Sequence, residues 1–186
     1  NKCSFCKTHY YPKKVESISY LDALAYLKEK IRNGTRIISL SGDNLTLYGI
    51  DLYKKPVLHN FIHELSEEEG LNYIIVNEIT AQNMYPDLLE ELASNKKVIQ
   101  VSLQLESASD KILKAMNRGH NLEKYDYIVR RLQEQGKIID TVLMTGFPTE
   151  TEEDLEKTIN YIKERKIYVE GISGYEDFYA IPYHEL

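Results

Sequence analysis

Cysteine is scarce in this 186-residue sequence, with only Cys3 and Cys6, and two residues separate them. A framework of long-range disulfides is therefore excluded. Long apolar runs are also absent, since none approaches the roughly 18 residues of a transmembrane helix, so we expect no membrane span. The first residues lack the basic and then apolar segments of a secretory signal, and we therefore expect a cytoplasmic protein.

Excess positive charge is missing as well. The formal net charge is -6, the pI is near 5.5, and lysines and arginines are mixed with acidic residues along the chain. A broad phosphate-binding face is thereby excluded, although local basic contacts are not. No low-complexity linker interrupts the sequence, and its composition is that of an ordinary globular protein. We expect one domain over residues 1–186.

Regular alternation of two patterns is the main feature that is present. Helical apolar stripes, such as Leu24, Leu27 and Ile31 before Asn33-Gly34, alternate with short runs rich in Ile, Val and Leu. The short runs predict strands over 36–40, 72–76, 98–103, 138–144 and 168–173. This order predicts an α/β fold with a parallel sheet, either doubly wound or curled into a partial, open TIM-like barrel of repeated βα units.

The carboxyl ends of the strands are where such folds place their chemistry. Polar, Gly-rich or Glu-bearing segments follow the predicted strands at 41–44, 77–80, 104–107, 145–151 and 174–182. The histidines at 59, 63, 120 and 184 fall on predicted helices or loops instead, and we expect them on the surface. The candidate site is therefore expected among the strand-end segments.

The Cys3-Ser4-Phe5-Cys6 motif has a spacing found in zinc ribbons, thioredoxin-like redox sites and iron-sulfur proteins. Zinc needs four ligands, and only His9 stands nearby as a further candidate. A thioredoxin-like site needs a helix directly after the motif, which Tyr11-Pro12 disfavours. The motif taken alone leaves zinc, redox and cluster chemistry open.

Four strand-end segments in the right order extend the evidence. They are 39–44 with Tyr48-Gly49, 50–56, 102–118 and 146–154. Together with the cysteine motif, they resemble the radical S-adenosylmethionine (SAM) superfamily, in particular its methylthiotransferase branch. The segment Ile50 to Pro56 is especially similar to the methylthiotransferases of ribosomal protein. The superfamily signature is C-x-x-x-C-x-aromatic-C, in which Phe5 fills the aromatic place. The resemblance implies a further cysteine two residues upstream of Asn1, together with a first strand missing from this chain.

The resemblance also implies a site. Cys3 and Cys6 would be ligands of a 4Fe-4S cluster whose open iron binds SAM, which is cleaved reductively to a 5'-deoxyadenosyl radical. The residues implied to bind the cofactor are Phe5, Gly42, Asp43, Gln104, Glu106, Ser107, Arg118 and Gly146. Structural roles remain open for several of them: a core aromatic for Phe5, a turn for Asp43, a surface ion pair for Glu106 and a helix cap for Arg118.

The implied function is that of a radical SAM enzyme, and the branch that the sequence resembles methylthiolates tRNA or a ribosomal protein. An electron donor of the flavodoxin or ferredoxin type would be a partner. Two alternatives stay open. One is a radical SAM enzyme of another branch, acting on a peptide or a cofactor. The other is a zinc-binding or scaffold barrel domain without radical chemistry.

Overall fold

The structure is a computed structural model that describes residues 3–6 and 16–176. The strands are β1 (Ile37–Leu40), β2 (Tyr73–Thr80), β3 (Val98–Gln104), β4 (Ile138–Thr145) and β5 (Tyr168–Gly174). The helices are α1 (Tyr20–Arg32), α2 (Ile50–Tyr53), α3 (Leu58–Ser66), α4 (Pro86–Ser94), α5 (Asp110–Ala115), α6 (Leu122–Gln133) and α7 (Glu152–Arg165). Short 3-10 turns lie at Leu45–Leu47 and Ala81–Asn83.

The five strands form one parallel sheet in the order β1-β2-β3-β4-β5. Each strand pairs with the next one along the chain, so every connection is a crossover between neighbours. The sheet curls. One sign of this is that the negative charge of Glu170 in β5 raises the pKa of Glu78 in β2, although two strands separate them. The predicted α/β fold is confirmed as a partial, open barrel.

The two faces of the sheet differ in chemistry. One face packs against the helices through fully buried side chains such as Val76, Val101 and Leu103. The alternate residues form what we call the inner face: Ser39, Asn77, Gln100, Ser102, Gln104 and Asp140. Hydrogen bonds run between strands on the inner face, from Asn77 Nδ2 to Ser39 Oγ (2.7 Å) and from Gln100 Nε2 to Asp140 Oδ2 (2.6 Å). Ser102, Gln104 and Asp140 on this face are buried, whereas Asn77 and Gln100 are half-buried and Ser39 is exposed, so polar groups are available to a polar ligand.

Strand β2 is longer than the sequence predicts. Its pattern stops being apolar at Asn77, yet the strand continues to Thr80. The register with β3 slips between Val76 and Ile79, and Glu78 takes a φ of +55° in the left-handed region. This bulge inserts one extra residue into β2 and changes the direction of the side chains there, so the charged Glu78 can lie in the strand beside the buried Ile79.

Helix α7 begins with a capping box that also ties it to α5. The Thr151 hydroxyl accepts from the Asp154 backbone N–H, and the Asp154 carboxylate accepts from the Thr151 backbone (3.0 Å). That buried carboxylate further accepts from the Ser109 hydroxyl (2.6 Å) and from Lys111 Nζ (2.5 Å). These bonds join the start of α7 to the start of α5.

Replacing this carboxylate is expected to weaken the fold. Asp154→Asn loses the charge-assisted hydrogen bonds, so we expect the free energy of unfolding to fall by about 2 kcal/mol at neutral pH. Lys111 and Ser109 hold the pKa of Asp154 well below its usual range. This stabilisation is therefore present above the pKa of an unfolded aspartate and is lost as the pH falls through the folded pKa.

Urea unfolding at about pH 7 and about pH 3 tests both statements, because the two proteins should differ less in the acid. Glu152→Gln, in the same exposed first turn, is the matched control and should change stability by less than about 0.5 kcal/mol. Equal stability of Asp154→Asn and the wild type at neutral pH would contradict the assigned tie between α7 and α5.

Candidate functional site

The cysteine turn docks on the carboxyl end of α5. Within the turn, the Cys6 backbone N–H donates to the Cys3 carbonyl (3.2 Å). Ser4 makes the docking contacts, since its backbone N–H donates to the Met116 carbonyl (2.9 Å) and its hydroxyl donates to the Ala115 carbonyl (2.9 Å). Cys3 is buried and Cys6 is half-buried, and both thiols are free of disulfides. Both cysteines therefore lie in one turn at the carboxyl end of α5.

Helix α5 ends in a Schellman motif that leads into Arg118. The Arg118 backbone N–H donates to the Leu113 carbonyl (2.9 Å), and the Asn117 N–H donates to the Lys114 carbonyl (3.0 Å). Asn117 takes a φ of +54°, which this motif requires. The backbone of Arg118 therefore caps the carboxyl end of α5, as considered from the sequence. Its side chain takes no part in this cap.

The Arg118 guanidinium connects the cysteine turn to the end of β3. Its Nη1 atom donates to Cys3 Sγ (3.5 Å) and lies 3.8 Å from Glu106 Oε1. Its Nη2 atom donates to the Gln104 carbonyl (3.1 Å). Only 8% of the Arg118 side chain and 10% of the Glu106 side chain are exposed. The structure therefore brings together four residues that the sequence nominated from separate segments.

Glu106 continues β3 past its last regular residue. Its backbone N–H donates to the Val142 carbonyl (3.1 Å), and its carbonyl accepts from the Met144 N–H (3.0 Å). Its φ of +71° is unusual for a residue with a side chain. Burial raises the pKa of the Glu106 carboxyl, Arg118 opposes this shift, and the neighbouring Glu78 adds to it. The surface ion pair considered for Glu106 does not form, because the pair it makes is buried.

Two acidic residues of the strands, Glu78 and Asp140, were missed by the sequence reasoning. Burial raises the pKa of the Glu78 carboxyl, and the negative charges of Glu170, Asp43 and Asp140 raise it further. Asp140 is itself buried within β4. A signal for both was available, since Glu78 is the only charged residue in β2 and Asp140 the only one in β4.

The other nominated residues are distributed around this centre. Gly42 and Asp43 are exposed after β1, with Asp43 near Glu78. Phe5 is half-buried and packs against a small cluster formed by Ile112, Met116 and Phe147. Ser107 points elsewhere, because its hydroxyl lies 3.3 Å from the Thr158 hydroxyl of α7 and accepts from the Ser109 N–H (3.2 Å).

Gly146 opens the turn between β4 and α7. It is exposed with a φ of +74°, and no atom lies within 4 Å of where a Cβ would stand. Its N–H donates to Glu150 Oε2 (2.6 Å), so Glu150 closes the turn rather than contacting the start of the following helix. The backbone at Gly146 is open to close approach by a ligand.

Thr149 in the same turn carries backbone strain. It is exposed and takes a φ of +73°, where a β-branched side chain is disfavoured. Thr149→Gly should therefore stabilise the protein by about 1 kcal/mol. Thermal unfolding measures the effect, with Thr151→Gly as a contrasting variant that loses the cap of α7 and should destabilise. A lower melting temperature for Thr149→Gly would contradict the strain.

His120 is not on the surface as expected. It is 9% exposed, its ring stacks on Tyr125, and neither ring nitrogen has a hydrogen-bond partner among the described residues. Burial, with the nearby charges of Arg118 and Lys124, lowers its pKa to about 4. His120 is therefore neutral at physiological pH and packs as an aromatic ring.

The sequence and the structure of this chain match those of known proteins. The family model described as the radical SAM superfamily matches residues 1–162. The chain belongs to the radical SAM superfamily. A solved relative, the radical SAM methyltransferase TsrM of Kitasatospora setae with cobalamin and an iron-sulfur cluster bound, shares its fold with a TM-score of 0.75. That structure is 15% identical and is matched over 98% of this chain and 36% of its own.

Among radical SAM proteins, the chain is similar to methylthiotransferases. It is 33% identical over 182 residues to the ribosomal protein uS12 methylthiotransferase RimO of Caldanaerobacter subterraneus subsp. tengcongensis, which covers 94% of this chain and 41% of the relative. It is 32% identical over 178 residues to the threonylcarbamoyladenosine tRNA methylthiotransferase MtaB of Aquifex aeolicus, which covers 94% and 43%. The chain thus spans less than half the length of these relatives.

The predicted superfamily and its enzyme class are confirmed by these matches, and the likeness to methylthiotransferases is confirmed as well. In the part of the chain that the structure describes, no helix is both long and apolar enough to cross a membrane.

The radical SAM chain offers a donor set that suits an iron-sulfur cluster. Two cysteines that form no disulfide lie in one turn, and cysteine thiolates are the usual ligands of such clusters. No group of three or more His, Cys, Asp or Glu within residues 3–6 and 16–176 could hold a metal ion by itself. The described residues therefore fit two places of the superfamily's three-cysteine motif.

Proposed function

We propose that residues 1–186 form the core of a radical SAM enzyme, in which Cys3 and Cys6 bind two irons of a 4Fe-4S cluster. The observation that carries the proposal is the set of contacts from Arg118 to Cys3, Gln104 and Glu106 at the carboxyl ends of the strands. When bound, the cluster and SAM supply reductive cleavage of the sulfonium to a 5'-deoxyadenosyl radical. The protein supplies position, burial and charge.

The buried pair of Arg118 and Glu106 would orient SAM. A carboxylate accepts hydrogen bonds from an ammonium or from ribose hydroxyls, and a guanidinium donates to a carboxylate. Asp43, exposed at the end of β1, would accept from the SAM ammonium, and Gly42 beside it permits close approach. Gln104 would contact SAM from the inner face, Phe5 would lie beside the adenine, and the Gly146 backbone would border the same space. Ser107, whose hydroxyl bonds to Thr158 of α7, would not contact SAM directly and would instead hold the end of β3 in position.

For the reaction of the whole protein we propose methylthiolation of a macromolecule, with a flavodoxin- or ferredoxin-type protein as the electron donor. The similarity to methylthiotransferases that act on a ribosomal protein and on tRNA supports this assignment. A radical SAM reaction on a peptide or a cofactor is the second candidate, since the family model identifies the superfamily and not one branch of it.

The test is SAM cleavage by the full-length protein. After anaerobic reconstitution with iron and sulfide and reduction with dithionite, we expect 5'-deoxyadenosine and methionine to form in equal amounts. The same protein without reconstitution is the control and should form neither. A reconstituted protein that binds zinc but no iron, or that forms no 5'-deoxyadenosine, would contradict the proposal.

A further inference from the structure

The strands of the half-barrel carry acidic residues and no basic ones. None of the five strands contains Lys, Arg or His, whereas Glu78, Asp140 and Glu170 lie in β2, β4 and β5. The negative charges of Asp140 and Glu170 both raise the pKa of Glu78, so the three carboxylates repel one another. The inner face therefore carries a negative potential that no basic side chain of the sheet neutralises.

Two buried oxygen atoms in this region lack partners. Asp140 is 6% exposed, and its Oδ2 accepts from Gln100 while its Oδ1 has no hydrogen-bond partner among the described residues. Thr80 is also 6% exposed and pairs with Gln104 across the sheet, and its Oγ1 likewise has no partner among those residues. An unpaired buried carboxylate oxygen is costly, so a bound donor at this position would stabilise the protein.

A metal ion is not the occupant that this geometry fits. The carboxylates of the inner face do not converge within the described residues into a group that could hold a metal. The neighbours of Asp140 are instead an amide, Gln100, and a hydroxyl, Ser102, which is its register partner on β3. Such a spread set of acceptors matches a cation with several N–H donors, such as an ammonium or a guanidinium.

We infer that the inner face binds the cationic end of a basic side chain from a polypeptide substrate, with Asp140 Oδ1 as its principal acceptor. The inference rests on the proposed radical SAM function and names the substrate class of the same site. The charge of the sheet favours a polypeptide over an RNA. The phosphates of an RNA would be repelled by Glu78, Asp140 and Glu170, and no basic residue of the sheet would offset this repulsion. A lysine or arginine side chain instead meets complementary charge.

Agmatine is the probe for this site, since it carries a guanidinium on an aliphatic chain. Binding is measured by calorimetry on the reconstituted full-length protein with SAM present. We expect Asp140→Asn, which keeps the shape of the side chain, to weaken agmatine binding about tenfold, the effect of losing one charge-assisted hydrogen bond. Glu78→Gln should weaken it severalfold. Glu156→Gln, an exposed acid on α7, is the control and should change nothing.

Measuring the SAM affinity of the variants distinguishes a failure of this inference from a failure of the proposed radical SAM function. The SAM affinity should change less than about twofold in Asp140→Asn, because the proposed SAM contacts lie at the strand ends. Equal agmatine binding in the wild type, Asp140→Asn and Glu78→Gln would overturn the inference. So would binding of a tRNA anticodon stem-loop that Asp140→Asn selectively weakens. A failure of the proposed function is seen separately, as absence of 5'-deoxyadenosine in every preparation.

Discussion

Replacing Arg118 with methionine should lower the free energy of unfolding by about 3 kcal/mol at neutral pH, the typical cost of removing one partner of a buried ion pair. The variant leaves the Glu106 carboxylate without its guanidinium, and that side chain is only 10% exposed. It also removes the donor to Cys3 Sγ and to the Gln104 carbonyl, so the cysteine turn and the end of β3 lose their common contact. The effect is measured by urea unfolding.

The pH dependence of this variant follows from the direction of the Glu106 shift. Burial raises the pKa of Glu106 above its unfolded value, and Arg118 opposes that rise. Between the unfolded and the folded pKa, the folded state binds more protons, so stability falls as the pH rises through this range. Without Arg118 the range widens, and the loss caused by the substitution should be larger at about pH 7 than at about pH 5.

Two further variants keep the test specific. Arg130→Met removes an exposed arginine that pairs with Asp126, and an exposed pair contributes at most about 1 kcal/mol. The double variant Arg118→Met with Glu106→Gln should recover part of the loss, since the uncompensated charge is then absent. If Arg118→Met costs no more than Arg130→Met, the buried pair does not stabilise the fold.

The fold was predictable because its local patterns agree with its topology. All five strands lie where apolar runs indicate them, and the helix stripes face the core. The difference at β2 has a local cause. An apolar run cannot report a bulge, so the sequence suggests a strand end at Val76, where the structure has a register slip and a turned Glu78.

The site was predictable only in its parts. The resemblance nominated Cys3, Gln104, Glu106 and Arg118, but the distances that make them one cluster depend on how α5 returns its carboxyl end to the cysteine turn. Ser107 shows the opposite outcome. It follows Glu106 directly, yet its hydroxyl faces Thr158 of α7 and not the Arg118 cluster, because the left-handed backbone at Glu106 turns the chain between the two residues.

The largest functional effect is expected at the cysteine turn. Cys6→Ala removes one thiolate of the proposed cluster, and no other cysteine of this chain can replace it. We therefore expect 5'-deoxyadenosine formation by the full-length protein to fall at least about 100-fold, with loss of bound iron, since loss of even an outer-shell partner of a metal site costs 10–100-fold. Folding should be nearly unchanged, because Cys6 is only half-buried and the turn is held through Ser4.

Ser4→Ala separates the loss of a ligand from the loss of the turn. It removes the hydrogen bond to the Ala115 carbonyl and leaves both thiols in place, so the rate should fall less than about tenfold, as the loss of one neutral hydrogen bond implies. Iron content, the visible spectrum and 5'-deoxyadenosine are measured on both variants. If Cys6→Ala keeps its iron and its rate, the thiol is not a ligand. If Ser4→Ala is as inactive as Cys6→Ala, the docking of the turn on α5, rather than the Cys6 thiolate alone, limits the reaction.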